Sequence, residues 1–155
     1  MESVNQPGTT VRHATPHDRE SWVRLRHALW PDGSEAEHRE EADRFFGGPR
    51  APLAVLVAED PPGVVAGFAE LSIRPYAEGC LSDRVGYLEG WFVVPAARGR
   101  GVGRQLIAAA EEWARAQGCS EFASDAEADN HVSAAAHRAV GFAEAGLIRC
   151  FRKEL

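Results

Sequence analysis

The chain of 155 residues has little that would place it in a membrane, in an oxidising compartment or on nucleic acid. No window approaches the roughly 18 consecutive apolar residues of a membrane span. The opening MESVNQPGTTVRHATP lacks the basic-then-apolar order of a secretory signal. Cysteines number three (Cys80, Cys119, Cys150), an odd count without a metal spacing such as C-x-x-C. They read as reduced thiols in a cytoplasmic protein that holds no metal. Surplus positive charge is missing too: 17 Lys and Arg stand against 23 Asp and Glu, a formal net charge of −6. That argues against a nucleic-acid binder, which must neutralise many phosphates. Repeats, low-complexity tracts and linkers are also lacking, so residues 1–155 read as one domain, with a loose start over 1–10.

What is present is an ordinary globular balance, 45% apolar and 26% charged, with acidic residues bunched in DGSEAEHREEAD (32–43) and SDAEAD (124–129). Such runs are either solvated faces or a cleft that draws in a cationic ligand. Periodicity predicts a short strand at VRHATP, then a helix whose Trp22, Leu25, Leu29 and Trp30 share an apolar face, ended by Pro31-Asp32-Gly33. A second, acidic helix runs to Phe46. Strands follow at LAVLVAED (53–60), VVAGFAELSIRPY (64–76) and RVGYLEGWFVV (84–94). A helix with Val102, Leu106, Ala109, Ala110 and Trp113 on one side ends at Gly118. SEFASDA is a fifth strand, HVSAAAHRAV a fourth helix, and LIRCFRKEL (147–155) a terminal strand. The order is that of an α+β domain. Trp22 and Trp113 are expected in the core.

The stretch VVPAARGRGVGRQLIAAAEEW (93–113) sets three arginines and three glycines between a strand and a helix. A turn, a phosphate cradle and an arginine–glycine contact to nucleic acid are all open to it. Glycine lets the backbone come close to a ligand, and the first helical N–H groups lack internal partners. The Walker and dinucleotide patterns do not match.

Arg98-x-x-Gly101-x-Gly103, after V-x-P and opening an amphipathic helix, resembles the signature of the GCN5-related N-acetyltransferases (GNATs). Asn130 and His137, seven apart and just before Gly141-Phe142, resemble that family's fourth-helix pattern. The resemblance implies a GNAT fold: a mixed central sheet of about six to seven strands with about four helices, splayed between the fourth and fifth strands. It implies acetyl-coenzyme A held at its pyrophosphate by Arg98, Gly99, Arg100, Gly101, Val102, Gly103 and Arg104. Asn130 and His137 would meet its pantetheine arm, Val93 and Val94 would pair the pantetheine amides, and the backbone N–H of Phe92 would polarise the thioester carbonyl.

LRHALWPD (25–32), SIRPYAEGC (72–80), YLEGWFVVPAARGRGVG (87–103) and CSEFASDAEADN (119–130) resemble, in order, segments of the aminoglycoside 6′-N-acetyltransferases. The second is one residue shorter than the branch's pattern. This implies acetyl transfer to the 6′-amine of aminoglycosides by direct attack in a ternary complex, conferring resistance, in a homodimer whose C-terminal strands could be exchanged. Other polyamines or amino sugars, a protein N-terminus, or an acyl-coenzyme A sensor remain the competing readings.

Glu89 and Asp125 would hold substrate amino groups, and either could accept a proton. By position, Glu89 is equally an exposed strand residue or the cross-strand partner of an arginine, and Asp125 a strand-end turn residue. Strict alternation would turn Glu89 and Phe92 to opposite faces, and a bulge at Gly90 would reset it. Trp30 and Tyr76 would wall the sugar rings, with Asp32 the acidic residue nearest them. His137 either protonates the departing thiolate or is a half-buried helix histidine; Asn130 is a ligand or an N-cap.

Overall fold

The computed structural model of the chain describes residues 8–49 and 51–155. Of the loose start expected over 1–10, residues 1–7 lie outside the described part, and Thr10 already belongs to a strand. The elements run β1 (Thr10–His13), α1 (Arg19–Leu29), α2 (Glu35–Gly47), β2 (Ala54–Glu59), β3 (Val65–Arg74), β4 (Val85–Val93), α3 (Val102–Ala116), β5 (Glu121–Ser124) and α4 (His131–Ala139). The sheet has the order β1-β2-β3-β4-β5, antiparallel until β5 joins β4 in parallel.

Both faces of the sheet are covered, so β2 is a nearly continuous apolar run rather than an alternation. Ala54, Leu56 and Ala58 pack with Leu106, Ile107 and Ala110 of α3, while Val55 and Val57 pack with Trp22, Val23 and Phe45 of α1 and α2. Trp22 is fully buried and Trp113 lies against the α3 side, as the helical spacing predicts. The acidic run forms α2 because Ser34 and Glu37 cap it reciprocally: Ser34 Oγ accepts from the Glu37 N–H, and the Glu37 carboxylate from the Ser34 N–H.

The sheet has five strands among the described residues, not six to seven. The predicted terminal strand at 147–155 joins no ladder, and Leu147, Ile148 and Phe151 are 75%, 63% and 91% exposed. The reason is physical. A β-rich sequence becomes a strand only beside a partner's unpaired N–H and C=O groups, and this segment lies against none within its own chain.

Beneath α1 lies a buried polar cluster. Glu70 of β3 accepts from Trp22 Nε1 at 3.0 Å and Arg26 Nη1 at 2.6 Å, while Arg26 also binds Glu41. His38 accepts from Arg26 through Nδ1 and so donates from Nε2 to the Trp30 carbonyl at 3.0 Å. Burial pushes the Glu70 carboxyl up to about 7, against the opposing pull of Arg26 and Trp22. The folded protein therefore keeps a proton that the unfolded chain has released above its ordinary 4.5. Unfolding free energy accordingly falls as pH rises from about 4.5 to about 7 and levels off beyond. Urea titrations across this window should show the parent losing about 2–3 kcal/mol relative to Glu70→Gln. A difference independent of pH would mean that Glu70 is ionised throughout.

Candidate active site

β4 carries one residue more than β3 can match. Leu71 pairs with Leu88 and Glu70 with Gly90, which leaves Glu89 as the extra residue of a bulge. Alternation is reset there, as the Gly90 reading requires. Tyr87, Glu89, Gly90 and Phe92 all lie toward α1, while Leu88 and Trp91 lie toward α3. Gly90 is obligatory for another reason: a Cβ would stand 2.5 Å from Cη2 of Trp30. The ring of Trp30 thus lies flush on the bulge, held from behind by the Arg26 guanidinium 4.9 Å from its centre.

β4 and β5 pair only from Val85–Glu121 to Leu88–Ser124, after which the chain leaves the sheet for α4. The opening is a cleft of about 220 Å³ lined by Trp30, Glu89, Gly90, Asp125, Asn130 and His137, among others. A larger depression of about 450 Å³ at the end of α2, beside Glu40, Asp43 and Arg44, gathers no comparable set of groups.

Along the splayed edge of β4, register decides which backbone groups are free. The Val94 N–H donates to Ala66 at 2.8 Å, so Phe68 and Phe92, two residues inward, also form a hydrogen-bonded pair. The expected donor Phe92 therefore faces β3. Trp91 and Val93 present their N–H groups to the opening instead. Val94 is likewise turned inward, its carbonyl accepting from Ala97 at 2.9 Å.

Glu89 is both things the sequence allowed, an arginine's cross-strand partner and a cleft residue. Its carboxylate receives Arg74 in a two-pronged contact, Nε at 2.9 Å and Nη2 at 2.6 Å, and also the Ser72 hydroxyl. Tyr87 donates to Asp125 at 2.5 Å, and burial, then that bond, pushes its phenol well above the ordinary range. His137 is boxed by Trp91 and Phe142, with ring centres at 5.4 and 5.2 Å. Its Nδ1 lies 2.7 Å from the Ser133 carbonyl, which can only accept, so Nδ1 carries a proton. In the neutral ring Nε2 then accepts from the Ser124 hydroxyl at 2.8 Å. Asn130 caps α4, its side-chain oxygen accepting from the Ser133 N–H.

Helix α3 starts on Gly101, at φ +83°, after Gly99 at φ +77°. No side chain caps it, and a Cβ at Gly99 would meet nothing. Val102, Gly103 and Arg104 therefore begin a helix whose first N–H groups are open to an anion. The three arginines are engaged elsewhere: Arg98 with the Val93 carbonyl, Arg100 with Asp60, and Arg104 with the Ala139 carbonyl. Trp30 and Asp125 reach the cleft. Asp32 sits on the exposed turn beside Trp30, and Tyr76 is 64% exposed past the end of β3, outside the cleft lining. Ser72, Arg74, Tyr87 and Ser124 carry no motif of their own; only the alternation of 72 and 74 on β3, in register with 87 and 89 on β4, points to the first three.

Residues 22–142 match the model of the Acetyltransferase (GNAT) family. The chain belongs to that family. It is 54% identical over 146 residues to the aminoglycoside N(6′)-acetyltransferase type 1 of Klebsiella aerogenes, covering 94% of this chain and 96% of that protein. It is 42% identical to the protein of that name from Stenotrophomonas maltophilia, with 94% of each covered. Among solved structures, aminoglycoside N-acetyltransferase AAC(6′)-Iy in complex with CoA superposes with a TM-score of 0.88 at 36% identity, covering 99% of this chain and 100% of that one. AAC(6′)-Iy with the bisubstrate analogue CoA-S-monomethyl-acetylneamine superposes at 0.86, with 38% identity over 95% of this chain and 99% of that one.

In this GNAT the contact of bulge and Trp30 can be tested directly. Gly90→Ala should lower the unfolding free energy by about 1–3 kcal/mol through overpacking. The same change in a Trp30→Ala background should cost well under half of that. Urea denaturation of the four proteins closes the cycle; equal penalties in both backgrounds would dissociate Gly90 from Trp30.

Proposed function

We propose that the protein transfers the acetyl group of acetyl-coenzyme A to the 6′-amine of aminoglycoside antibiotics, and so confers resistance. The observation that carries this is the bulge, which turns Glu89 into the cleft beside Asp125 and against the Trp30 wall. An aminoglycoside arrives as a polycation. Two carboxylates and an aromatic face bind such a ligand, and a carboxylate within reach of the ammonium can take the proton that must leave before nitrogen attacks.

The cradle at the start of α3 fits the pyrophosphate of acetyl-coenzyme A. Positive-φ glycines bring the backbone close, and uncapped N–H groups with the helix dipole supply the attraction. Trp91 and Val93 can pair the pantetheine arm along the open edge. Attack forms the N–C bond and breaks C–S, and the thiolate leaves with a proton. Ser124 and His137, linked at 2.8 Å, supply a route for that proton or for the one lost by the amine. Attack is direct, within a ternary complex: Cys80 is half-buried, Cys119 buried and Cys150 exposed, and none lines the cleft. Reduced cysteines and a cytoplasmic cosubstrate suit a cytoplasmic location, and no described helix is long and apolar enough to cross a membrane.

The assembly we infer is a homodimer. The apolar segment around Leu147, Ile148 and Phe151 and the unpaired outer edge of β5 are complementary, and a second copy supplies each with what it lacks. Light scattering should give a two-chain mass for the full chain and a one-chain mass after removal of residues 143–155. A one-chain mass in both would refute the assembly.

Release of coenzyme A thiol tests the activity. Tobramycin and kanamycin should turn over; their 6′-hydroxyl counterparts, spermidine and a peptide should not. Glu89→Gln and Asp125→Asn should each lower kcat/KM by about 10²-fold or more while leaving coenzyme A binding intact. Turnover of spermidine or peptide alone would transfer the site to another amine. Coenzyme A binding with no turnover of any amine would make the protein a sensor.

A further inference from the structure

Accepting the polycationic substrate, we propose that Arg74 occupies the ammonium subsite at Glu89, so that substrate binds by exchanging its own cation for the guanidinium. Arg74 is thereby a specificity-determining residue.

The geometry around Arg74 is that of a bound cationic ligand. Its guanidinium makes the two-pronged contact with Glu89 and lies 3.5 Å from the centre of the Tyr87 ring. The hydroxyl of that ring holds Asp125. One cation therefore touches a carboxylate and an aromatic face, with a second carboxylate one side chain away. A substrate ammonium placed at Glu89 meets a carboxylate that already takes three donors, Ser72 and Arg74 Nε on Oε1 and Arg74 Nη2 on Oε2, so the one acceptor position left lies beside the guanidinium, where a second cation is repelled.

Arg74 is also built to be displaced. It is the last residue of β3, its side chain is 42% exposed and that of Glu89 28%. Ion pairs this accessible are weakly held. Arg26 provides the contrast within the same protein: 8% exposed, clamped by Glu70 and Glu41, and stacked on Trp30. One arginine is structure; the other can swing to solvent and uncover the face of Tyr87.

Exchange imposes a threshold. A monoamine must compete with a guanidinium that already has the better fork geometry, and it gains only one carboxylate. A polyamine engages Asp125 with a second ammonium while the first displaces Arg74, so the exchange favours polycations.

Arg74→Gln removes the competitor and spares Ser72 and Glu89. We expect KM for tobramycin to fall about 3- to 30-fold with kcat changed less than about 3-fold, and a monoamine such as glucosamine to gain at least as much. Arg74→Lys, which keeps the charge, should stay near the parent. A rise in KM with Arg74→Gln that Lys rescues would overturn the inference, making Arg74 a clamp for Glu89; an unchanged KM would overturn it too. A parent that acetylates no aminoglycoside would sink the proposed activity instead. The exchange is then read by NMR from the Arg74 Nε–H signal, assigned by its absence in Arg74→Gln, during titration with spermine. Loss of its hydrogen-bonded shift at saturation supports displacement, and persistence refutes it.

Discussion

One extra residue in β4 sets the geometry of the whole cleft. Without the bulge at Glu89, strict alternation would send Glu89 and Phe92 to opposite faces, and the carboxylate could not share a side with both Tyr87 and the α1 wall. Because Glu89 and Gly90 together oppose Glu70, the strand brings an acid into the cleft and, one residue later, a bare backbone against which Trp30 can lie. The same insertion determines which amides of β4 remain unpaired where β5 departs. Electrostatic and hydrogen-bonding features of the site thus share one backbone cause.

Opposite that bulge, Glu70 turns a sheet position into a polar anchor for α1. Burying a carboxyl with Arg26, Trp22 and, through Arg26, Glu41 and His38 is a poor way to gain stability, since desolvation offsets most of the attraction. It is a good way to fix an orientation. Trp22 and Arg26 lie one turn apart on α1 and bind the same oxygen, so the helix can neither roll nor slide without leaving a buried charge unmatched. Trp30, at the end of that helix, inherits the constraint through its carbonyl bond to His38 and its ring contact with Arg26.

Most elements could be read from periodicity because each is amphipathic or covered on both sides, and the glycine–arginine turn was legible as a helix start. Trp22 and Trp113 followed from local pattern alone, whereas the bulge at Gly90 followed only once the resemblance had put both Glu89 and Phe92 in the cleft. What could not be read depends on contacts distant in sequence. Residues 147–155 have a strand's composition, yet composition does not supply a partner edge. The string of letters also does not show that Arg100 pairs with Asp60 or that Arg104 reaches the end of α4. Of Phe92, Val93 and Val94, expected together on the open edge, only Val93 faces it, because hydrogen-bond phase is fixed by the pairing of Val94 with Ala66, which sequence does not reveal.

Under the proposed function a chain of net charge −6 would hold a polyanion and a polycation side by side. Backbone N–H groups and a helix dipole attract phosphate over a short range, within about the first turn, and project little field beyond it. Carboxylates at Glu89 and Asp125 act at longer range on a cation. Of the three arginines only Arg100 is charge-paired, with Asp60; Arg98 and Arg104 donate to the neutral carbonyls of Val93 and Ala139 and keep their charge. On the proposed function the two ligands would be sorted by what each meets, backbone N–H groups and a helix dipole at one end of β4 and the Glu89 and Asp125 carboxylates at the other, with acetyl donor and amine facing across the bulge.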